Sequence, residues 1–166
     1  MLNGKIENAI NAQIKHELAS AYLYLSMSAY FEANNLPGFA SWMRVQAEEE
    51  QEHAMKFFDF INDRGGRVAL QAIEQPQVEW DSPLKVFEQV YSHEQKVTSL
   101  IHAIYKLAVE EADYPTQVML HWFIDEQVEE EKNASAILDQ LKVVEGHAGS
   151  LFMIDHRLGK RSDEED

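Results

Sequence analysis

Glu50 and His53 stand three residues apart in the run "AEEEQEHAM", residues 47–55, which places four glutamates and a histidine within six positions. On a helix, that spacing puts a carboxylate and an imidazole one turn apart on a single face, where both can grip one ion. Charged runs on helices are usually solvated. The test is whether any of these side chains continues a line of apolar residues, because such a line faces the core.

Residues seven apart lie nearly in line on a helix. One line reads Ile10, Glu17, Tyr24, Phe31; a second reads Met43, Glu50, Phe57. A third gives Phe87, Glu94, Ile101, Ala108, and a fourth gives Phe123, Glu130, Ile137, Val144. His53 lies on Gln46, His53, Phe60, and Gln127 on Leu120, Gln127, Ala134, Leu141. Glu48 and Glu52 fall on other faces and are expected in solvent, with Glu49 intermediate. Four buried carboxylates without partners would suffer desolvation and mutual repulsion. No Arg or Lys lies on these lines. Either the carboxylates take up protons, or cations of high charge bind among them; two divalent ions would balance four glutamates. Oxygen-rich ligation with one imidazole suits Fe(II), with Mn and Zn as competitors.

The elements that must position these residues are helical. Glycine and proline are few, and the stretches between them are rich in Ala, Glu, Leu, Gln and Lys. A first helix is predicted from an Asn3 cap to Asn34–Asn35, and a second from Pro37 to Gly65–Gly66. The extended, proline-marked piece "RVALQAIEQPQVEW" follows. Asp81 or Ser82 caps a third helix, with Pro83 in its first turn, and "DYPT" precedes a fourth from about Pro115 to Glu145. Each glutamate falls near the middle of its helix, so the four share one layer whichever way neighbouring helices run. The 17 residues from Gly65 to Asp81 can span roughly 56 Å, against about 42 Å for the preceding helix. Helices two and three can therefore run parallel. The expected fold is an all-α four-helix bundle (about 3–145) with one long crossover, a short fifth helix (about 148–158) and a disordered acidic tail (about 160–166), together one domain.

Composition narrows the function further. With no cysteine among 166 residues, disulfides, thiolate metal sites, iron–sulfur clusters and a Cys nucleophile are excluded. The net charge of −15 disfavours nucleic acid and anionic membrane as partners and concentrates cations near the surface. No apolar run reaches transmembrane length, and the N-terminal residues lack signal-peptide character, so the cytoplasm is the expected location.

With these features together, the chain resembles the non-haem ferritins of the bacterial type. The resemblance runs through "HELASAYLYLSMSAYF", "AEEEQEHAMKFFDFINDRGG", "HEQK", "DYPT", "EQVEEEK" and "LFMIDHRLG", essentially the whole sequence. It implies a ferroxidase that oxidises Fe(II) with oxygen or hydrogen peroxide and stores the ferric mineral in a 24-subunit cage. By the same resemblance, Glu17, Glu50 and His53 hold one iron, and Glu50 bridges to a second held by Glu94 and Glu130, with Gln127 beside it. Glu49, Glu126 and Glu129 match the carboxylates of a third iron site that shares Glu130. Tyr24 and Trp122 match aromatic residues that can supply electrons, and the fifth helix matches one that packs around the cage fourfold axis. Gln51 stands where haem-binding relatives have methionine, so no haem is expected. Gln117 and Leu120 replace the threefold-pore carboxylates of animal ferritins, so the resemblance supplies no iron entry route. The alternative is a di-iron redox enzyme without storage, of the rubrerythrin or oxygenase type. Against it stand the absence of a Cys-based electron relay and the single Glu-x-x-His.

Overall fold

The computed structural model describes residues 2–161. Five helices follow in order: α1 (Gly4–Ala33), α2 (Pro37–Asp63), α3 (Pro83–Glu110), α4 (Tyr114–Val143) and α5 (Ala148–Leu158). No strand occurs among the described residues. Local chemistry sets most of the boundaries. The Asn3 side chain accepts from the Lys5 amide at 2.9 Å, Ser82 from Lys85 at 3.2 Å and Asp113 from Thr116 at 3.0 Å. Each cap satisfies an amide that the first helical turn leaves without a partner. Pro37, Pro83 and Pro115 sit in first turns, where a missing N–H costs nothing.

The direction of each helix follows from contacts at the ends. Lys5, at the start of α1, pairs with Glu111, just past the end of α3. Arg64, just past α2, makes a two-pronged pair with Asp113 at the start of α4, at 2.9 and 3.0 Å. Hence α1 opposes α3 and α2 opposes α4. The short α1–α2 and α3–α4 connections make each of those pairs antiparallel, which leaves α2 and α3 parallel. The segment between them travels the full length of α1. Its Arg67 and Ala69 backbones bond Glu7 and Asn11 near one end, Gln77 accepts from Ser26, and Trp80 packs on Tyr30 at the other.

α5 repairs a defect. Leu36 caps α2 without a side-chain hydrogen bond, and Asp155 of α5 instead accepts from the Phe39 amide at 2.9 Å. Gly38 is required for this approach, since a Cβ there would stand 1.7 Å from the Asp155 carbonyl oxygen. Lys160 and Arg161, expected in the disordered tail, form a turn after α5, and Arg161 returns to α2. Residues 162–166 of that tail lie outside the described residues.

The apolar interior divides in two. One cluster gathers Ile6, Ile10, Ile14, Phe57, Ile61, Ile101 and Phe123, among others. The second gathers Tyr24, Met27, Phe31, Phe39, Met43, Phe87 and Ile137 with residues of α5. Between them lies a polar layer drawn from all four long helices. A core interrupted this way forgoes hydrophobic stabilisation, so the layer needs another explanation.

Candidate metal centre

The polar layer contains Glu17 from α1, Glu50 and His53 from α2, Glu94 from α3, and Gln127 and Glu130 from α4, all at most 5% exposed. Heptad placement explains their convergence: each glutamate occupies a core position halfway along its helix. Glu48 and Glu52 of the same charged run are exposed, and Glu49 is intermediate. The run therefore divides by face.

Two triads place one potential ligand atom per residue within 4.8 Å of one another: Glu17–Glu50–His53, and His53–Glu126–Glu130. His53 belongs to both. Its Nδ1 lies 3.7 Å from Glu50 Oε2 and its Nε2 3.9 Å from Glu126 Oε1. Glu94 stands outside both triads. It joins the layer through the Tyr24 hydroxyl, which donates to Glu94 Oε1, and through Gln127 Nε2, which donates to Glu94 Oε2 at 3.3 Å. Glu129 is exposed and falls in neither triad. Trp122 is 40% exposed, with its ring 5.3 Å from that of His53 and the Lys56 ammonium 3.9 Å above it.

Sequence reasoning missed the residues that orient the carboxylates. Gln13 donates to Glu17 Oε1 at 2.7 Å, and Gln46 donates to Glu130 Oε2 at 2.7 Å. Gln13 sits one turn before the glutamate it serves, and this spacing was the available signal; Gln46 stood on the line of His53, but the glutamate it serves is on another helix. The donors reaching Glu17, Glu94 and Glu130 are amides and a phenol, so they hold the carboxylates without neutralising them. Glu17 Oε2 and Glu50 Oε2 remain buried with no hydrogen-bond partner. Orphaned oxygens of this kind are costly in a dry interior unless a cation meets them.

The electrostatics agree. Burial, then the charges of Glu94, Glu17 and Glu130, pushes Glu50 well above the ordinary carboxylate range. Burial also raises Glu17, and burial with the neighbouring Glu94 and Glu49 raises Glu130. Glu94 rises to about 7, mainly through burial, with the Tyr24 and Gln127 hydrogen bonds opposing. Burial, helped by Lys56, lowers His53 to about 4, so its imidazole is neutral at pH 7 and keeps a lone pair for a metal. Acidic oxygens reluctant to stand alone, beside one neutral nitrogen, form a donor set suited to divalent iron. His93, half-buried, has a structural explanation instead. Its Nε2 lies 2.8 Å from Ser20 Oγ and its ring meets Tyr24 edge-on.

A bundle with one long crossover around such a layer is the architecture of ferritin-like proteins. Residues 7–144 match the family described as the ferritin-like domain, and the chain belongs to that family. It is 45% identical over 161 residues to a bacterial non-heme ferritin of Bacteroides fragilis, covering 97% of this chain and 100% of that one. A bacterial non-heme ferritin of Staphylococcus saprophyticus is 38% identical, with 99% of each chain covered. Among solved structures, an open pore ferritin from the archaeon Archaeoglobus fulgidus superimposes with a TM-score of 0.97. That match has 48% identity and covers 98% of this chain and 100% of that one.

Proposed function

We propose that this chain is a ferroxidase and iron store, oxidising Fe(II) to Fe(III) within each bundle and depositing the product as mineral inside a 24-subunit cage. One observation carries the reading. Four carboxylates and a neutral imidazole share one sealed layer, and the groups that hydrogen-bond those carboxylates leave their charge uncompensated. Fe(II) is the substrate that supplies the missing positive charge. Glu17, Glu50 and His53 hold one iron; Glu50 bridges to a second held by Glu94 and Glu130, with Gln127 beside it. Glu49, Glu126 and Glu129, with Glu130 shared, receive a third.

Oxidation removes one electron from each iron of a pair. The two electrons and two protons convert dioxygen to hydrogen peroxide, or hydrogen peroxide to two waters. The protein's part is to supply ligands that ionise as the metal enters and change their binding mode as its charge increases. Tyr24, held protonated by burial and by the neighbouring carboxylates, and Trp122 are positioned to add electrons. Gln51 is exposed and offers no sulfur ligand, and haem has no part in the proposal. Phe152, Met153 and Val143, at 57%, 75% and 81% exposed on and beside α5, support burial against neighbouring subunits. No described helix is long and apolar enough to cross a membrane; the proposed compartment is the cytoplasm.

Aerobic loading of metal-free protein with Fe(II), followed by sizing and counting iron per particle, tests the reading. A cage-sized particle that consumes oxygen and retains iron far beyond its ligand-site capacity is expected. Rapid oxidation by a small particle that retains only a few irons per chain would instead identify a redox enzyme.

A further inference from the structure

Arg161 reaches the edge of the metal layer from the far end of the chain. Its Nη2 donates to both carboxylate oxygens of Glu49, each at 2.8 Å, and its Nη1 donates to Gln46 Oε1 at 3.0 Å. Its guanidinium carbon lies 5.0 Å from the ring centre of Trp42, which is itself buried. The Arg161 and Glu49 side chains are only 14% and 20% exposed. Arginine suits this place because its planar fork can stack on an indole while donating along several fixed directions.

Two consequences follow. Glu49 accepts from Arg161 at both oxygens, so a cation approaching it meets a guanidinium charge already seated against the carboxylate. Gln46 is also held in one orientation: accepting from Arg161 at Oε1 directs its Nε2 toward Glu130 Oε2, 2.7 Å away. A single guanidinium thus touches a proposed third-site ligand directly and a proposed di-iron ligand through one amide.

We infer that Arg161 is a positioning residue that stands in for the third metal: it holds Glu49 while that site is empty, and its charge competes with an entering cation for that carboxylate. The inference rests on the proposed di-iron reading, since the third site is defined by its neighbours. It makes passage of iron from the pair toward Glu49 a competition between cations, with the protein's own arginine as the resident competitor. Arg161 also favours the order in which the di-iron pair fills first, because its charge lies directly against Glu49, whereas only the neutral amide of Gln46 touches Glu130.

Calorimetric titration of the assembled, metal-free protein with Zn(II) tests this without any turnover. Wild type should bind two equivalents per chain tightly and a third more weakly. Arg161→Gln should tighten the third equivalent by roughly three- to tenfold, the scale of releasing one partly exposed, hydrogen-bonded ion pair, and leave the first two little changed. Arg161→Lys, which restores the charge without the fork, should move the third affinity back toward wild type. Adding Glu49→Gln to Arg161→Gln should abolish the gain. An unchanged or weaker third affinity in Arg161→Gln, or a gain that survives loss of Glu49, overturns the inference. Failure of wild type to bind the first tight pair would instead overturn the di-iron reading itself.

Discussion

Tyr24 on α1 donates its phenol hydroxyl to Glu94 Oε1 on α3, and the pair is 0% and 1% exposed. The contact joins opposing helices inside the polar layer and stabilises the ionised form of Glu94 against burial. Tyr24→Phe keeps the ring but removes the donor. Glu94 should then hold its proton to higher pH, and metal-free stability should drop by about 1 kcal/mol. Zn(II) binding measured across pH should show its half-point displaced upward. No displacement would mean that the hydroxyl does not govern Glu94.

Metal-free stability should fall on both sides of mildly acidic pH. Glu94 ionises near pH 7 in the fold, against a reference of 4.5. Its contribution is therefore complete below about pH 4.5 and is lost as pH rises to about 7. Glu17, Glu50 and Glu130 are displaced in the same direction and extend the alkaline loss. His53 and His93 act oppositely. Folded values near 4 against a reference of 6.5 mean that stability is lost as pH falls from about 6.5 toward 4. Thermal melts of the metal-free protein across this range check both limbs.

Location can be separated from charge by two double variants. Glu17→Gln with Glu50→Gln removes two buried charges, and Glu48→Gln with Glu52→Gln removes two exposed ones from the same chain. At pH 8 the metal-free inner variant should melt above wild type, with a gain on the order of 1–3 kcal/mol. The outer variant should remain within about 0.5 kcal/mol of wild type and retain iron oxidation. Equal melting of the two variants would show that the inner glutamates are not penalised by burial.

α5 should be coupled to α2 through one cap. Asp155→Ala removes the acceptor for the Phe39 amide and should cost about 1 kcal/mol. Gly38→Ala should be worse, since its methyl group would overlap the Asp155 carbonyl and displace α5 altogether. Sedimentation should show both variants assembling less completely than wild type while circular dichroism retains the helical bundle. Full assembly of Gly38→Ala would contradict the docking described.

What could be read from the sequence followed the range of the interactions. The cap at Asn3 was legible, and that of α3 to within Asp81 or Ser82, because caps act over three residues; "DYPT" marked the start of α4 without singling out Asp113. Glu17, Glu50, Glu94 and Glu130 were legible because a seven-residue period fixes which face a side chain occupies. The length of the segment before Pro83 allowed parallel α2 and α3, a topology carried by chain reach alone. Asp155 capping α2 and Arg161 reaching Glu49 were not legible, since each depends on where α5 docks, more than 110 residues away in sequence. The role of Gln46 was hidden for another reason: its position on a core line was legible, but its partner Glu130 belongs to another helix.

The central claim is that each bundle oxidises a pair of irons bridged by Glu50. It is tested most directly by stopped-flow oxygen uptake as Fe(II) is added stepwise to metal-free wild type, Glu50→Ala and Glu129→Ala. Wild type should show a rapid phase that saturates at about two Fe(II) per chain. Glu50→Ala should slow that phase by roughly 100-fold or more, while Glu129→Ala leaves the first turnover intact and changes only later additions. A rapid phase that survives in Glu50→Ala, or is lost equally in both variants, would contradict the account.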